Sequence, residues 1–377
     1  MRSLLVTGGA GFIGSNFVRY WRRRHPADRL TVLDAMSYAA SPDTVQELTA
    51  DAGISFVHGD IRDGGLLRSV LTRNAVDCIV NFAAESHVDR SISGPGAFVE
   101  TNIVGTHVLL QAALETWSAA GQSGQGGQRR FHQVSTDEVY GSLGPEDPPF
   151  TEAAPYRPSS PYAASKAAAD HLVRAYHTTY GLDATISNCS NNFGPYQFPE
   201  KLLPLMLVNA LDGKPLPVYG DGQNVRDWLY VEDHCRGIDL VLAEGGAGET
   251  YNIGMHAEHR NLDLVQLLCA ELDALFVRDP KLARQYPRAP AASGHRTSDL
   301  IRLVADRPGH DRRYALDTRR IRQELGFAAG RSFREDLART ISWYLGNGRW
   351  WEPLRSRMLD VQYSSMNSPE CRGGEPT

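Results

Sequence analysis

Short apolar runs alternate with longer amphipathic stretches through the first half of the chain. Leu4-Leu5-Val6 precedes Phe12 to Arg24, Leu30 to Leu33 and Ile54 to His58 follow, and Cys78 to Ala84 precedes Phe98 to Trp117. Parallel strands need a crossover helix between them, so this alternation predicts βαβ units wound over both faces of one sheet. The series continues through Phe131 to Ser135, a helix from about Pro161 to Tyr180 opened by Ser159-Ser160-Pro161, and Asp183 to Asn188. After residue 189, Pro and Gly punctuate shorter elements such as Lys201 to Leu211, Leu216 to Tyr219, Glu232 to Ala243 and Leu262 to Phe276. The expected fold is α/β: a Rossmann-like doubly wound parallel sheet over 1–188, then a smaller C-terminal α/β substrate-binding domain over 189–351. Some strands and helices of that second part are expected to return to the first, and 352–377 reads as a tail. Ala119 to Gln128, rich in Gly, Gln and Ser, reads as a surface loop.

The first strand runs into Gly8-Gly9-Ala10-Gly11-Phe12-Ile13-Gly14. Glycines at a strand-to-helix turn let a pyrophosphate approach the backbone, and the helix N-terminus faces it with oriented N–H groups. Asp34 closes the second strand twenty residues after Gly14, where a carboxylate can hydrogen-bond an adenosine 2′-hydroxyl. It would repel a 2′-phosphate, and Ala35 supplies no cation, so NAD is expected over NADP. Asp60-Ile61 after the third strand is expected near adenine, and Ala83-Ala84-Glu85-Ser86 after the fourth near the nicotinamide, because ligands of such sheets bind at strand C-termini.

Composition narrows the partners. A net charge of −5 gives no pull toward nucleic acid or an anionic membrane, and no apolar run approaches the roughly 20 residues that span a bilayer. Met1-Arg2-Ser3 leads straight into a strand-like segment, so the cytoplasm is the expected compartment. The cysteines, Cys78, Cys189, Cys235, Cys269 and Cys371, are odd in number and scattered, which fits buried thiols better than disulfides or zinc. His256 and His259 sit in a polar loop without an acidic cluster and read as solvated; no metal is expected. Lys occurs only at 166, 201, 214 and 281, with Arg used elsewhere.

The chemistry gathers around Thr136-Asp137-Glu138 and the pair Tyr162 and Lys166. Tyr and Lys four residues apart share a helix face, where the ammonium, together with the nicotinamide's positive charge, is expected to lower the phenol pKa so that it can take a hydroxyl proton. Two adjacent carboxylates add a proton donor and a proton acceptor, which exceeds the needs of a simple alcohol oxidation. Asp137 must then be protonated at neutral pH, through burial or the neighbouring Glu138 charge. Consecutive strand residues point to opposite faces, so the chain must leave its strand at Thr136 for both carboxylates to serve one substrate.

The blocks Gly8 to Gly14, Ala83 to Ser91, Ser135 to Gly141, Asn188 to Tyr196, Arg226-Asp227-Trp228 and Asp306 to Tyr314, with the Tyr162/Lys166 pair, resemble the dTDP-glucose 4,6-dehydratases of the extended short-chain dehydrogenase/reductase superfamily. The likeness runs from Met1 to about Trp351, and Thr136-Asp137-Glu138 is its dehydratase-specific part. It implies an NAD-dependent lyase in which Tyr162 and NAD oxidise C4, Glu138 removes the C5 proton, Asp137 protonates the departing C6 hydroxyl and Thr136 helps hold O4. It further implies tightly bound NAD contacted by Gly8, Gly11, Phe12, Ile13, Gly14, Asp34, Ser37, Asp60, Ile61, Ala83, Ala84, Ser86, Thr101, Tyr162, Lys166 and Asn192. The nucleotide sugar falls to Glu85, Thr136, Asn191, Lys201, Leu202, Pro217, Tyr219, Arg226, Asn261, Arg307 and His310. A homodimer through Thr101 to Trp117 and Pro161 to Tyr180 is implied as well. Asp279 to Arg296 looks more irregular than the family's connection. The competing readings are a 4,6-dehydratase of another nucleotide sugar, a sugar-nucleotide 4-epimerase, which needs no Asp-Glu pair, and an NAD-binding sensor without turnover.

Overall fold

The computed structural model describes residues 1–119, 129–306 and 308–355. Most of the Ala119 to Gln128 loop, Arg307, Cys371 and the tail from 356 onward lie outside the described residues. The strands are β1 (Ser3–Thr7), β2 (Arg29–Asp34), β3 (Ile54–His58), β4 (Cys78–Asn81), β5 (Arg130–Thr136), β6 (Ala184–Cys189), β7 (Asn191–Phe193), β8 (Leu216–Tyr219), β9 (Val225–Tyr230), β10 (Thr250–Ile253), β11 (Glu258–Arg260) and β12 (Ile301–Val304). Seven of them form one parallel sheet in the order β10-β6-β5-β4-β1-β2-β3. The order reverses direction between β1 and β4, and the crevice outside the strand ends at such a switch point is where ligands of doubly wound sheets bind.

Both faces of this sheet are buried, and the pleat divides its side chains between two cores. Leu4 and Val6 join Phe17, Trp21, Tyr251 and Phe327 on one face, while Leu5 joins Ile79, Leu109, Phe131 and Val173 on the other. A third cluster, around Phe193, Met206, Leu207, Trp228, Leu268 and Trp351, belongs to the second half of the chain. That half carries a three-stranded sheet β11-β9-β7 and the parallel pair β12-β8, and it returns β10 to the edge of the large sheet.

Two stretches differ from their expectation. Phe98 to Trp117 is not one regular helix: a π-helical segment Val99–Gly105 precedes the α-helix Thr106–Ala119. Gly105 packs closely on Ile61 there, since a Cβ added to it would lie 2.6 Å from the Ile61 Cδ1. Asp279 to Arg296 holds a short helix Lys281–Gln285 and a 3₁₀ turn Pro290–Ser293, with Leu282, Tyr286 and Ala289 buried against the third core.

Candidate active site

The glycine turn is built for close approach. Gly8 sits at φ +65°, and a Cβ on it would meet the Ala83 nitrogen at 2.7 Å, in the loop after β4. A Cβ on Gly14 would lie 2.3 Å from the Gly8 carbonyl oxygen, so the helix Phe12–Arg24 can start this near the turn only with glycine there. No side chain caps that helix and no acid stands in its first turn, which leaves its N–H groups open to an anion. Asp34, at the end of β2, accepts from the Ala10 and Met36 backbone N–H groups at 2.9 and 2.8 Å, and burial raises its pKa. Three glycines, an uncapped helix end and a held carboxylate fit a dinucleotide.

The remaining expected cofactor positions follow the strand ends. Ser37 follows β2, Ala83, Ala84 and Ser86 follow β4, Asn192 lies in β7 and Thr101 in the π-helical segment. Asn102 joins these pieces: its Oδ1 accepts from the Glu85 N–H (2.9 Å), and its Nδ2 donates to the Glu85 carbonyl (3.0 Å) and to Ser165 Oγ (2.8 Å) of the Pro161–Tyr180 helix. Asp60 and Ile61 follow β3. Arg62 donates to both Asp60 oxygens, down to 2.7 Å, and Ile61 is buried beneath Gly105.

At the end of β5 the strand stops at Thr136 and the chain turns into a 3₁₀ helix, Asp137–Tyr140. Thr136 caps the turn, its Oγ1 accepting from the Glu138 N–H at 3.3 Å. This departure from the strand meets the geometric condition that the adjacent carboxylates impose. Asp137 is 2% exposed; its Oδ1 accepts from Thr136 Oγ1 and its buried Oδ2 has no hydrogen-bond partner. Burial, and after it the Glu138 charge, push its pKa well above the carboxylate range, while Arg226 opposes. A carboxyl so placed keeps its proton to higher pH than an exposed one.

Tyr162 lies in the same field. Burial, then the charge of Glu138, drive its phenol up, and a hydrogen bond to Thr136 works the other way. Lys166 lies one turn further along the same helix. Its Nζ donates to the Val134 carbonyl of β5 at 2.7 Å, and burial depresses its own pKa. The short reach to Val134 ties the ammonium to the sheet.

Expected substrate residues fall into two groups. On one side Lys201 donates to the Ser86 carbonyl at 3.0 Å, Glu85 pairs with Arg90 at 3.5 Å, and Leu202 opens the helix after Lys201. On the other, Pro217 and Tyr219 lie in β8, His310 stands 6.2 Å from the Tyr219 ring and pairs with Asp306 at 2.6 Å, and Asn261 donates its N–H to the Asn224 carbonyl. Asn261 Oδ1 is buried without a hydrogen-bond partner. Asn191 and Arg226 bridge toward the centre on β7 and β9. Arg226 is buried, donating to the Val225 and Asp311 carbonyls and lying 4.2 Å over the Tyr314 ring. His256 bonds Thr318 at 2.8 Å and His259 rests 4.4 Å from Phe333, so neither is simply solvated. Cys78, Cys189, Cys235 and Cys269 are buried thiols.

The chain matches the family model described as GDP-mannose 4,6 dehydratase over residues 5–340. It is 51% identical over 350 residues to a dTDP-glucose 4,6-dehydratase of Xanthomonas campestris, spanning 93% of this chain and 95% of that one. A dTDP-glucose 4,6-dehydratase of Neisseria meningitidis is also 51% identical, across 93% and 96%. Among solved structures, the Streptomyces venezuelae dTDP-glucose 4,6-dehydratase, crystallised with NAD, superposes with a TM-score of 0.81 at 49% identity, covering 94% of this chain and all of that one. The chain belongs to the dTDP-glucose 4,6-dehydratase family. Members are NAD-dependent hydro-lyases, and the parallel sheet matches that of dehydratase structures crystallised with NAD. A UDP-glucose 4-epimerase of Thermotoga maritima, at 24% identity and a TM-score of 0.74, shares the fold alone.

Several residues beside these positions were given no role from the sequence. Tyr314 is buried beside Glu138, whose charge helps raise its phenol, and it closes the Asp306 to Tyr314 block. Glu200 precedes Lys201; it accepts from Tyr38 at 2.9 Å and faces His87 at 3.8 Å. Arg90 lies 4.1 Å over the Tyr38 ring, so this group ties the loop after β2 to the substrate half. Cys189 stands among Asp137, Lys166 and Asn192, its thiol pushed by burial up to about 12. Each sits next to a residue the motifs marked, and that adjacency was the available signal.

Proposed function

We propose that the chain converts dTDP-glucose to dTDP-4-keto-6-deoxyglucose and water, with the roles divided as follows. Bound NAD supplies the hydride acceptor for C4 and the hydride donor for C6. Tyr162 takes the O4 proton while Thr136 holds O4. The C4 ketone acidifies the C5 proton, Glu138 removes it, and Asp137 protonates the C6 hydroxyl, which leaves as water. Glu138 then returns a proton to C5. A turnover leaves Tyr162 one proton richer and Asp137 one poorer, so both must exchange before the next.

The observation that carries this reading is Asp137: a carboxyl buried without a partner on Oδ2, beside an acid and within the field of Tyr162. A 4-epimerase has no step that uses a proton donor there. Incubation with dTDP-glucose should yield the 4-keto-6-deoxy product; recovery of dTDP-galactose instead, or no turnover by NAD-loaded protein, would overturn the proposal. The nucleotide half is assigned to Asn191, Lys201, Arg226, Asn261 and His310, and the base to Pro217 and Tyr219. A cytoplasmic homodimer completes the proposal. Its support is the set of exposed apolar side chains Val99, Val104 and Tyr180 beside the Thr106–Ala119 helix and on the Pro161–Tyr180 helix.

A further inference from the structure

The Pro161–Tyr180 helix places an ionisable group on each successive turn: Tyr162, Lys166, Asp170 and Arg174. The first two belong to the proposed chemistry. Asp170 is used by no step, yet it is fully buried. Its Oδ2 accepts from Ser135 Oγ on β5 at 2.7 Å and from the Tyr156 hydroxyl at 3.0 Å, and its buried Oδ1 has no hydrogen-bond partner. Tyr156 is itself fixed by Arg174, which donates to its hydroxyl at 2.7 Å, and by Asn188 at 3.1 Å. Burial raises the pKa of this carboxyl, and Lys166, the Ser135 hydrogen bond, Arg174 and the Tyr156 hydrogen bond act the other way, toward the ionised form.

Lys166 needs such a neighbour. It is 4% exposed, and its one hydrogen bond goes to a neutral carbonyl. A buried ammonium without a counter-charge loses its proton. The charged or titratable groups that act on it are Asp170 from its own helix, which favours the cation, and the Cys189 thiol from β6. From β5 it meets only the Val134 carbonyl, since Asp137 and Glu138 act on Tyr162.

We propose that Asp170 is a positioning residue that keeps Lys166 cationic inside the closed site, with Ser135 and Tyr156 holding Asp170 ionised. Resting on the dehydratase reading, this adds a third tier to the Tyr-Lys pair: a buried carboxyl one turn beyond the ammonium and a guanidinium one turn beyond that. The lysine is thereby available when the substrate hydroxyl and a bound dinucleotide draw it toward Tyr162.

The chain has only four lysines, so the Lys166 side chain can be followed by NMR on lysine-labelled protein, with Lys166→Arg identifying its resonance. In the substrate-free enzyme, Asp170→Asn should lower the Lys166 titration midpoint by about one pH unit or more, the size of losing one near counter-charge. Lys201, Lys214 and Lys281 should not move. The basic limb of the kcat profile should shift down by the same amount, with KM for dTDP-glucose unchanged. Tyr156→Phe, which removes one hydrogen bond and keeps the carboxylate, should give a smaller shift in the same direction and serves if Asp170→Asn does not fold. An unmoved Lys166 midpoint in the folded variants overturns the proposal. Because the titration is read without substrate, a failure of the dehydratase reading would leave it untouched.

Discussion

Asp137 shows how one residue takes its role from its surroundings. Next to Glu138 in sequence it is one of two equivalent acids; in the fold one carboxyl is buried with an unpaired oxygen, and the other stands half-buried beside two phenols. Asp137→Asn should slow water loss about 10²- to 10⁴-fold, the usual worth of a positioned general acid, while C4 oxidation continues. Reduced cofactor would then accumulate and can be read by its absorbance. Because the donor must be protonated and its pKa is raised, the rate of water loss should fall as pH rises through that raised value, and the fall should vanish in Asp137→Asn. The need for a raised pKa, and for a break at Thr136, was legible in the sequence. The position of the Lys166 ammonium was not, because it depends on a carbonyl of β5 that only the packed sheet brings to the helix.

Elements whose hydrophobic period is strong were legible almost residue for residue. Phe12–Arg24, Ile54–His58, Pro161–Tyr180 and Leu216–Tyr219 all fall within the expected bounds. The π-helical Val99–Gly105 was hidden because its residues continue an ordinary helical pattern into Thr106–Ala119. The turn after β1 is the element on which the cofactor half depends. Gly14→Ala, with its Cβ 2.3 Å from a carbonyl oxygen, should cost about 1–3 kcal/mol of overpacking strain and release the dinucleotide. Urea unfolding and chromatography of bound nucleotide on the purified protein measure the two effects. Retention of a full complement of NAD would show that the helix start can shift without loss.

At the scale of the molecule, three cores and a small set of buried polar groups set how stability answers to pH. His132 and His234 are fully buried, and burial lowers both to about 3. Below pH 6.5 the unfolded chain binds protons there that the folded chain refuses, so stability should fall as pH drops from about 6.5 toward 3. The slope for the pair is at most about 2.7 kcal/mol per pH unit, and His132→Gln should halve it in urea titrations. In the second half of the chain, Trp351 is buried and donates to the Tyr344 carbonyl at 2.8 Å; Trp351→Ala should cost about 3–5 kcal/mol by the same measurement. The return of β10 to the large sheet was foreseen only in outline, since a four-residue strand, Thr250-Tyr251-Asn252-Ile253, carries no mark of which sheet it will join.

The central claim is elimination between an oxidation at C4 and a reduction at C6, and isotopes read it directly. dTDP-glucose carrying deuterium at C4 should, in ordinary water, give a 4-keto product with that deuterium at C6. Unlabelled substrate in D2O should give one deuterium at C5. A product without deuterium at C5, or with the C4 label lost to solvent, would contradict the division of labour among Tyr162, Glu138 and Asp137.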